Sequence, residues 1–142
     1  MNPPNLAVAE IKAFVPARDF ALSMEFYAAL GFTRASVYED IAYFHCGGSS
    51  FLLQDFFVQE HAVNYQMQLL VENVDAWHEK ASAVAQRFQI RVSEPENQLW
   101  GMRDFTLFDP SGVVWRIAQN IRMESAPDDV SSASTPDPQP SP

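Results

Sequence analysis

The feature that most constrains this chain is a pattern met twice: a strand, a capped helix, then three short strands divided by turn residues. In the first copy AEIKAFVP (9–16) reads as a strand ended by Pro16, because proline removes a ladder donor. Asp19 follows as an N-cap, Phe20, Met24, Tyr27 and Leu30 recur on one helical face, and Gly31 offers a left-handed stop. FTRASVY, IAYFHC and SFLLQDF are then three strands, divided by Glu39-Asp40 and Gly47-Gly48. In the second copy YQMQLLV is a strand, and Asn73 caps a helix with Trp77, Ala81, Val84 and Phe88 on one stripe. QIRVS, GMRDFTLF and GVVWRIAQ complete it. A repeat of roughly 55 residues, neither half of which closes its own core, predicts an α+β fold of two paired βαβββ modules.

The last two strands are joined by Asp109-Pro110-Ser111-Gly112, with the residue preferences of a type I turn. A hairpin is expected. Beyond it Val113, Trp115 and Ile117 point to one face, and Val114, Arg116 and Ala118 to the other. Arg116 is thus an isolated cation on a strand otherwise rich in apolar residues.

A chain of 142 residues suits one domain, expected over 1–120 with module one at about 8–56 and module two at about 64–120. The last twenty residues hold five of the ten prolines and almost nothing to bury, so 121–142 reads as a disordered, acidic, Pro-rich tail. Net charge is −9, of which −3 belongs to that tail (Arg122 against Glu124, Asp128, Asp129 and Asp137), leaving −6 on the folded part. Such a surface repels nucleic acid and anionic membranes and attracts cationic ligands. Cys46 is the only cysteine, so neither an internal disulfide nor a cysteine-ligated metal cluster is expected. The first residues lack a basic n-region, and no run of 18 apolar residues occurs, so a cytoplasmic location is expected.

DFALSMEFYAALGF after a strand, then LLVENVDAWHEKA, then WGMRDFTLFDPSGVVWRIA, resembles the vicinal-oxygen-chelate superfamily, the glyoxalase, bleomycin-resistance and ring-cleaving dioxygenase group. The resemblance runs from about Ala9 to Asn120 and implies a cup-shaped, mostly antiparallel sheet with helices outside. In the family's enzymes a divalent metal sits in that cup, held mostly by His and Glu from the first and last strands of each module. The resemblance puts those positions at Lys12, Gln66, Arg116 and either Leu53 or Gln54. Lysine and arginine have no lone pair to offer at neutral pH, and glutamine is a poor ligand, so no metal and no other cofactor are expected. Glu10, two residues before Lys12, and His45, His61 and His78 are the remaining donors for a relocated site.

The bleomycin-resistance branch resembles the chain most in ARDFALSMEFYAALGF, in the acidic pair Glu39-Asp40, in the Leu-Trp-Gly approach to the seventh strand and in the acidic total. It implies a metal-free homodimer that sequesters an aromatic or cationic antibiotic in interface clefts, with no catalytic residues. Trp100 and Gly101 then form an aromatic rim, Glu39 and Asp40 an acidic loop, and Phe56 and Phe57 a second aromatic wall or dimer contacts. Two alternatives stand beside it. One is a metal-dependent glyoxalase- or dioxygenase-type lyase or oxidoreductase with relocated ligands. The other is an anion-binding cup built on Lys12 and Arg116, unless Arg116 is neutralised by Glu10 or Asp104. No GxSxG, CxxC, HExxH or glycine-rich phosphate loop occurs, and Cys46 and His45, adjacent on a strand, point to opposite faces.

Overall fold

A computed structural model describes residues 3–121; the tail expected from 121 onward lies, from 122, outside the described residues. Two modules are present. The first contains β1 (Phe14–Pro16), α1 (Phe20–Leu30), β2 (Thr33–Tyr38), β3 (Ile41–Cys46) and β4 (Ser49–Gln54). A short helix, α2 (Gln59–Ala62), lies in the connection. The second contains β5 (Gln66–Leu70), α3 (Val74–Phe88), β6 (Glu96–Asn97), β7 (Met102–Phe108) and β8 (Val114–Asn120). Each module builds its own four-stranded mixed sheet, ordered β1-β4-β3-β2 and β5-β8-β7-β6, in line with the expected α+β fold of two paired βαβββ modules. In both, the first strand runs parallel to the last and the rest are antiparallel.

The helices begin and end where the residue types require. Asp19 accepts from Leu22 N at 3.1 Å and Asn73 from Ala76 N at 3.0 Å, each satisfying an orphan amide of the first turn. Gly31 closes α1 at φ 124, a conformation that side-chain-bearing residues rarely adopt. The buried face of α1 is Ser23, Phe26, Tyr27 and Leu30, so Phe20 and Met24 sit at its edge rather than at its centre. On α3, Val74, Ala81, Val84 and Ala85 are buried, while Trp77 and Phe88 pack against the core from its margin.

Two expected strands differ. Of AEIKAFVP only Phe14–Pro16 is ladder; residues 3–13 lead into it without strand pairing and are almost wholly exposed. QIRVS contributes one bridge, Val92 to Leu107, and the strand lies further on at Glu96–Asn97, paired with Asp104 and Arg103. An edge segment with few partners has little to hold it in one register.

Both modules contribute to one core. Tyr27 on α1, Phe32, Phe44 and Phe51 from the first module and Trp115 from β8 meet with ring centroids 4.9 to 6.1 Å apart. At its centre Trp115 Nε1 donates to the Tyr27 hydroxyl at 2.8 Å, and that hydroxyl donates to Asp109 Oδ2 at 2.5 Å. Asp109 Oδ1 accepts from the amides of Ser111 (2.8 Å) and Val113 (2.9 Å), and Gly112 N donates to Asp109 O at 3.0 Å, closing the expected turn. The turn is therefore both the register-setting element of a hairpin and the tie between modules.

Candidate functional site

The candidate site is built from the sides of the two sheets that the shared core leaves open. Alternation along β5 and β8 sends Met67, Leu69, Trp115 and Ile117 inward. It leaves Gln66, Gln68, Leu70 and Arg116 outward, where Arg116 lies opposite Gln68 on one side and Thr106 on the other. The Arg116 guanidinium reaches Asp104 Oδ2 at 3.5 Å and Gln66 Oε1 at 3.3 Å, and Gln98 Nε2 donates to Asp104 Oδ1 at 2.9 Å. Asp104 is only 2% exposed, so its charge has lost water and is held by Arg116 and Gln98. Of the two carboxylates expected as counter-ions for Arg116, it is Asp104 that pairs with it. Glu10 instead holds Lys12, 3.2 Å away, and also accepts from Ser50, while the Lys12 ammonium lies 5.2 Å from the Tyr43 ring centroid.

The ladders also relate to one another the positions that the resemblance marks in the two modules. Lys12 lies seven residues before the cap Asp19, and Gln66 seven before the cap Asn73, although Lys12 precedes β1 instead of belonging to it. In module two Arg116 pairs with Gln68, two residues after Gln66; in module one the residue paired with Phe14, two after Lys12, is Leu52. By that register the module-one counterpart of Arg116 is Leu52, while Leu53, 0% exposed, faces the core. Lys12, Leu52, Gln66 and Arg116 offer no imidazole or carboxylate, so the residues present do not fit a divalent catalytic metal. Among the described residues no three His, Cys, Asp or Glu side chains gather as a metal-binding group. His45 lies on β3 and His78 on α3, as expected, and His61 falls in α2 rather than in a loop.

A cavity of about 650 Å³ opens where β1 and the end of β4 meet the connection to β5. Phe14, Gln54, Phe56, His61, Asn64 and Tyr65 are among the residues lining it. Its size suits a small organic molecule, and aromatic walls with a few amide and imidazole groups suit a ligand with both rings and polar substituents. Burial raises the Tyr65 phenol above its ordinary value, which keeps its hydroxyl a neutral donor at the cavity wall. Phe56 and Phe57 part company here: Phe56 faces this cavity, whereas Phe57 packs on the core and under Arg18. Trp100, 45% exposed, stands in the turn ahead of β7, and Gly101 has φ 85 there. Glu39 and Asp40 form the exposed β2–β3 turn, with Glu39 at φ 53. The cavity itself was not legible in the chain; the aromatic pair in FFVQEH was its only sequence signal, since α2 is too short to show periodicity.

A family model described as the Glyoxalase/Bleomycin resistance protein/Dioxygenase superfamily matches residues 8–117. A comparison with curated protein sequences finds no match. Among solved structures, a bleomycin-binding protein complexed with bleomycin superposes with TM-score 0.69 at 22% identity, covering 80% of this chain and 99% of that one. TnmS3, an antibiotic binding protein from Streptomyces sp. CB03234, gives TM-score 0.65 at 24% identity over 82% of this chain and 99% of that one. Lactoylglutathione lyase from Agrobacterium tumefaciens gives 0.58 at 17% identity over 82% and 95%. Binders and an enzyme thus share this fold, and identities this low speak for the fold alone. Since the family match spans both modules and the ladders repeat in each, the chain belongs to the Glyoxalase/Bleomycin resistance protein/Dioxygenase superfamily.

Proposed function

We propose that the chain is a metal-free binding protein that sequesters an aromatic or cationic, antibiotic-like small molecule in clefts completed by a second copy of itself. The observation that supports this reading is the set Lys12, Leu52, Gln66 and Arg116, which has no imidazole or carboxylate for a divalent ion but presents one amide and two ion-paired cations to a ligand. The acidic total favours a cationic ligand, and half-exposed Trp100 supplies a face for stacking and cation–π contact. The antibiotic-binding neighbours support the same assignment. A second copy is argued from what is left uncovered: Phe14, Tyr38, Leu70 and Trp100 are apolar and largely exposed on strands or turns around the open sheet sides. In this role Trp100 and Gly101 form the rim, Glu39 and Asp40 the acidic approach, and Phe56 the far wall.

Titration with bleomycin is expected to quench tryptophan emission, and Trp100→Ala is expected to weaken binding about tenfold or more while leaving the circular dichroism unchanged. Unaltered emission together with unaltered binding by the variant overturns the drug assignment. Metal analysis of the purified protein tests the rest. One tightly held divalent ion per chain, ligated by His or Glu of both modules, turns the reading to the metal-dependent lyase or dioxygenase alternative.

A further inference from the structure

On another part of the surface, a notch of about 340 Å³ lies beside the Asp109–Gly112 turn, and Arg18 and Arg91 both line it. Each guanidinium lies over an aromatic ring: Arg18 is 5.4 Å from the centroid of Phe57, and Arg91 is 4.3 Å from that of Phe108. Backbone bonds fix the approach of both. Arg18 N donates to Ser111 Oγ at 2.9 Å, and Phe108 N donates to Arg91 O at 3.1 Å. One guanidinium bond is used, from Arg18 Nη2 to Pro110 O at 3.4 Å, leaving most donors of both forks open. Among the described residues neither arginine forms an ion pair with a carboxylate, although the chain is strongly acidic overall. The one acidic residue lining the notch, Asp109, is 2% exposed, and its carboxylate faces Tyr27 and the turn amides. Gln59 and Gln89 add neutral amides at the rim.

We propose that this notch is a second ligand site, selective for a small aryl carboxylate whose carboxylate is gripped by Arg18 and Arg91 and whose ring lies along Phe57 and Phe108. Two planar forks favour a planar, bidentate anion, and the phenyl walls favour an apolar body behind it. The volume is at the small end of ligand sites, which limits the occupant to about one ring with its acid group. The site does not depend on the cleft reading above, since no residue assigned to that cleft lines the notch; Phe57, expected from the sequence beside Phe56, belongs to the notch instead.

Calorimetric titration of the full chain with benzoate tests it, with benzamide and acetate as comparison probes. Benzoate is expected to bind one per chain and better than either comparison probe. Arg91→Ala and Arg18→Ala are each expected to weaken it about tenfold, while their circular dichroism and urea midpoints remain near those of the parent. Equal affinity for benzamide removes the charge recognition, and equal affinity for acetate removes the ring walls; either overturns the assignment. So does unchanged benzoate binding in Arg91→Ala, or its abolition by Arg116→Ala, which places the anion on the open sheet instead. Arg91→Lys serves if Arg91→Ala fails to fold: a retained point charge with lost benzoate preference supports the fork geometry, and full retention overturns it.

Discussion

At the Tyr27 hydroxyl one bond is donated to Asp109 and one accepted from Trp115, so a single phenol joins α1 to the turn and to the start of β8 in the last hairpin. Tyr27→Phe keeps the ring packing but strands a buried carboxylate oxygen and a buried indole N–H, and is expected to cost about 2 to 4 kcal/mol in urea unfolding. Burial, then the Asp109 charge, raises the Tyr27 phenol well above 10.0. Since the folded state favours the neutral phenol, this contribution is complete below about pH 10 and is lost as pH rises through the folded value. Urea midpoints should therefore fall from about pH 9 to pH 11 in the parent, and less in Tyr27→Phe. Burial also raises Asp109 above 3.8, opposed by its hydrogen bonds, so its contribution likewise declines as pH rises from the ordinary carboxylate range. Arg116 has a different weight. Arg116→Ala leaves Asp104 desolvated with only Gln98, a cost of about 1 to 3 kcal/mol, and adding Asp104→Asn is expected to recover most of it because an amide tolerates that burial.

Among the elements, the two long helices α1 and α3 were the most legible, and the outer strands and α2 the least. Caps act through local chemistry, so Asp19 and Asn73 identified both N-termini directly, and Asp19→Ala is expected to lower stability by about 1 kcal/mol on thermal or urea unfolding. The rotation of α1 was less legible: Phe26 is buried where Phe20 and Met24 are marginal, because helical spacing admits several adjacent stripes in so apolar a segment. β2 is exposed along its whole length although it pairs with β3, and residues 9–13 of the expected first strand have no ladder. Alternation states which residues share a face, not whether another strand lies beside them. The same limit applies across the modules: Lys12 and Gln66 each lie seven residues before a helix cap in the sequence, but only the β1–β4 register brings out Leu52 as the counterpart of Arg116.

At the scale of the whole molecule, the core joins the modules while their other sheet sides remain open, and the proposed dimer follows from that uncovered surface. Leu70→Glu is expected to leave the circular dichroism intact and to shift sedimentation at micromolar concentration toward monomer; an unshifted parent already at monomer mass removes the proposed interface clefts. Among the described residues no helix is long and apolar enough to cross a membrane. The sequence by itself determined the doubled βαβββ pattern, the caps and the DPSG turn, because these depend on residue type and short-range spacing. Tertiary structure alone decided that Arg116 rests on Asp104, that Phe56 and Phe57 serve different surfaces, and that Arg18 meets Arg91 at one notch. Those are encounters between residues as far as 73 positions apart (Arg18 and Arg91), and burial, register and desolvation arise only when the two modules close on one core.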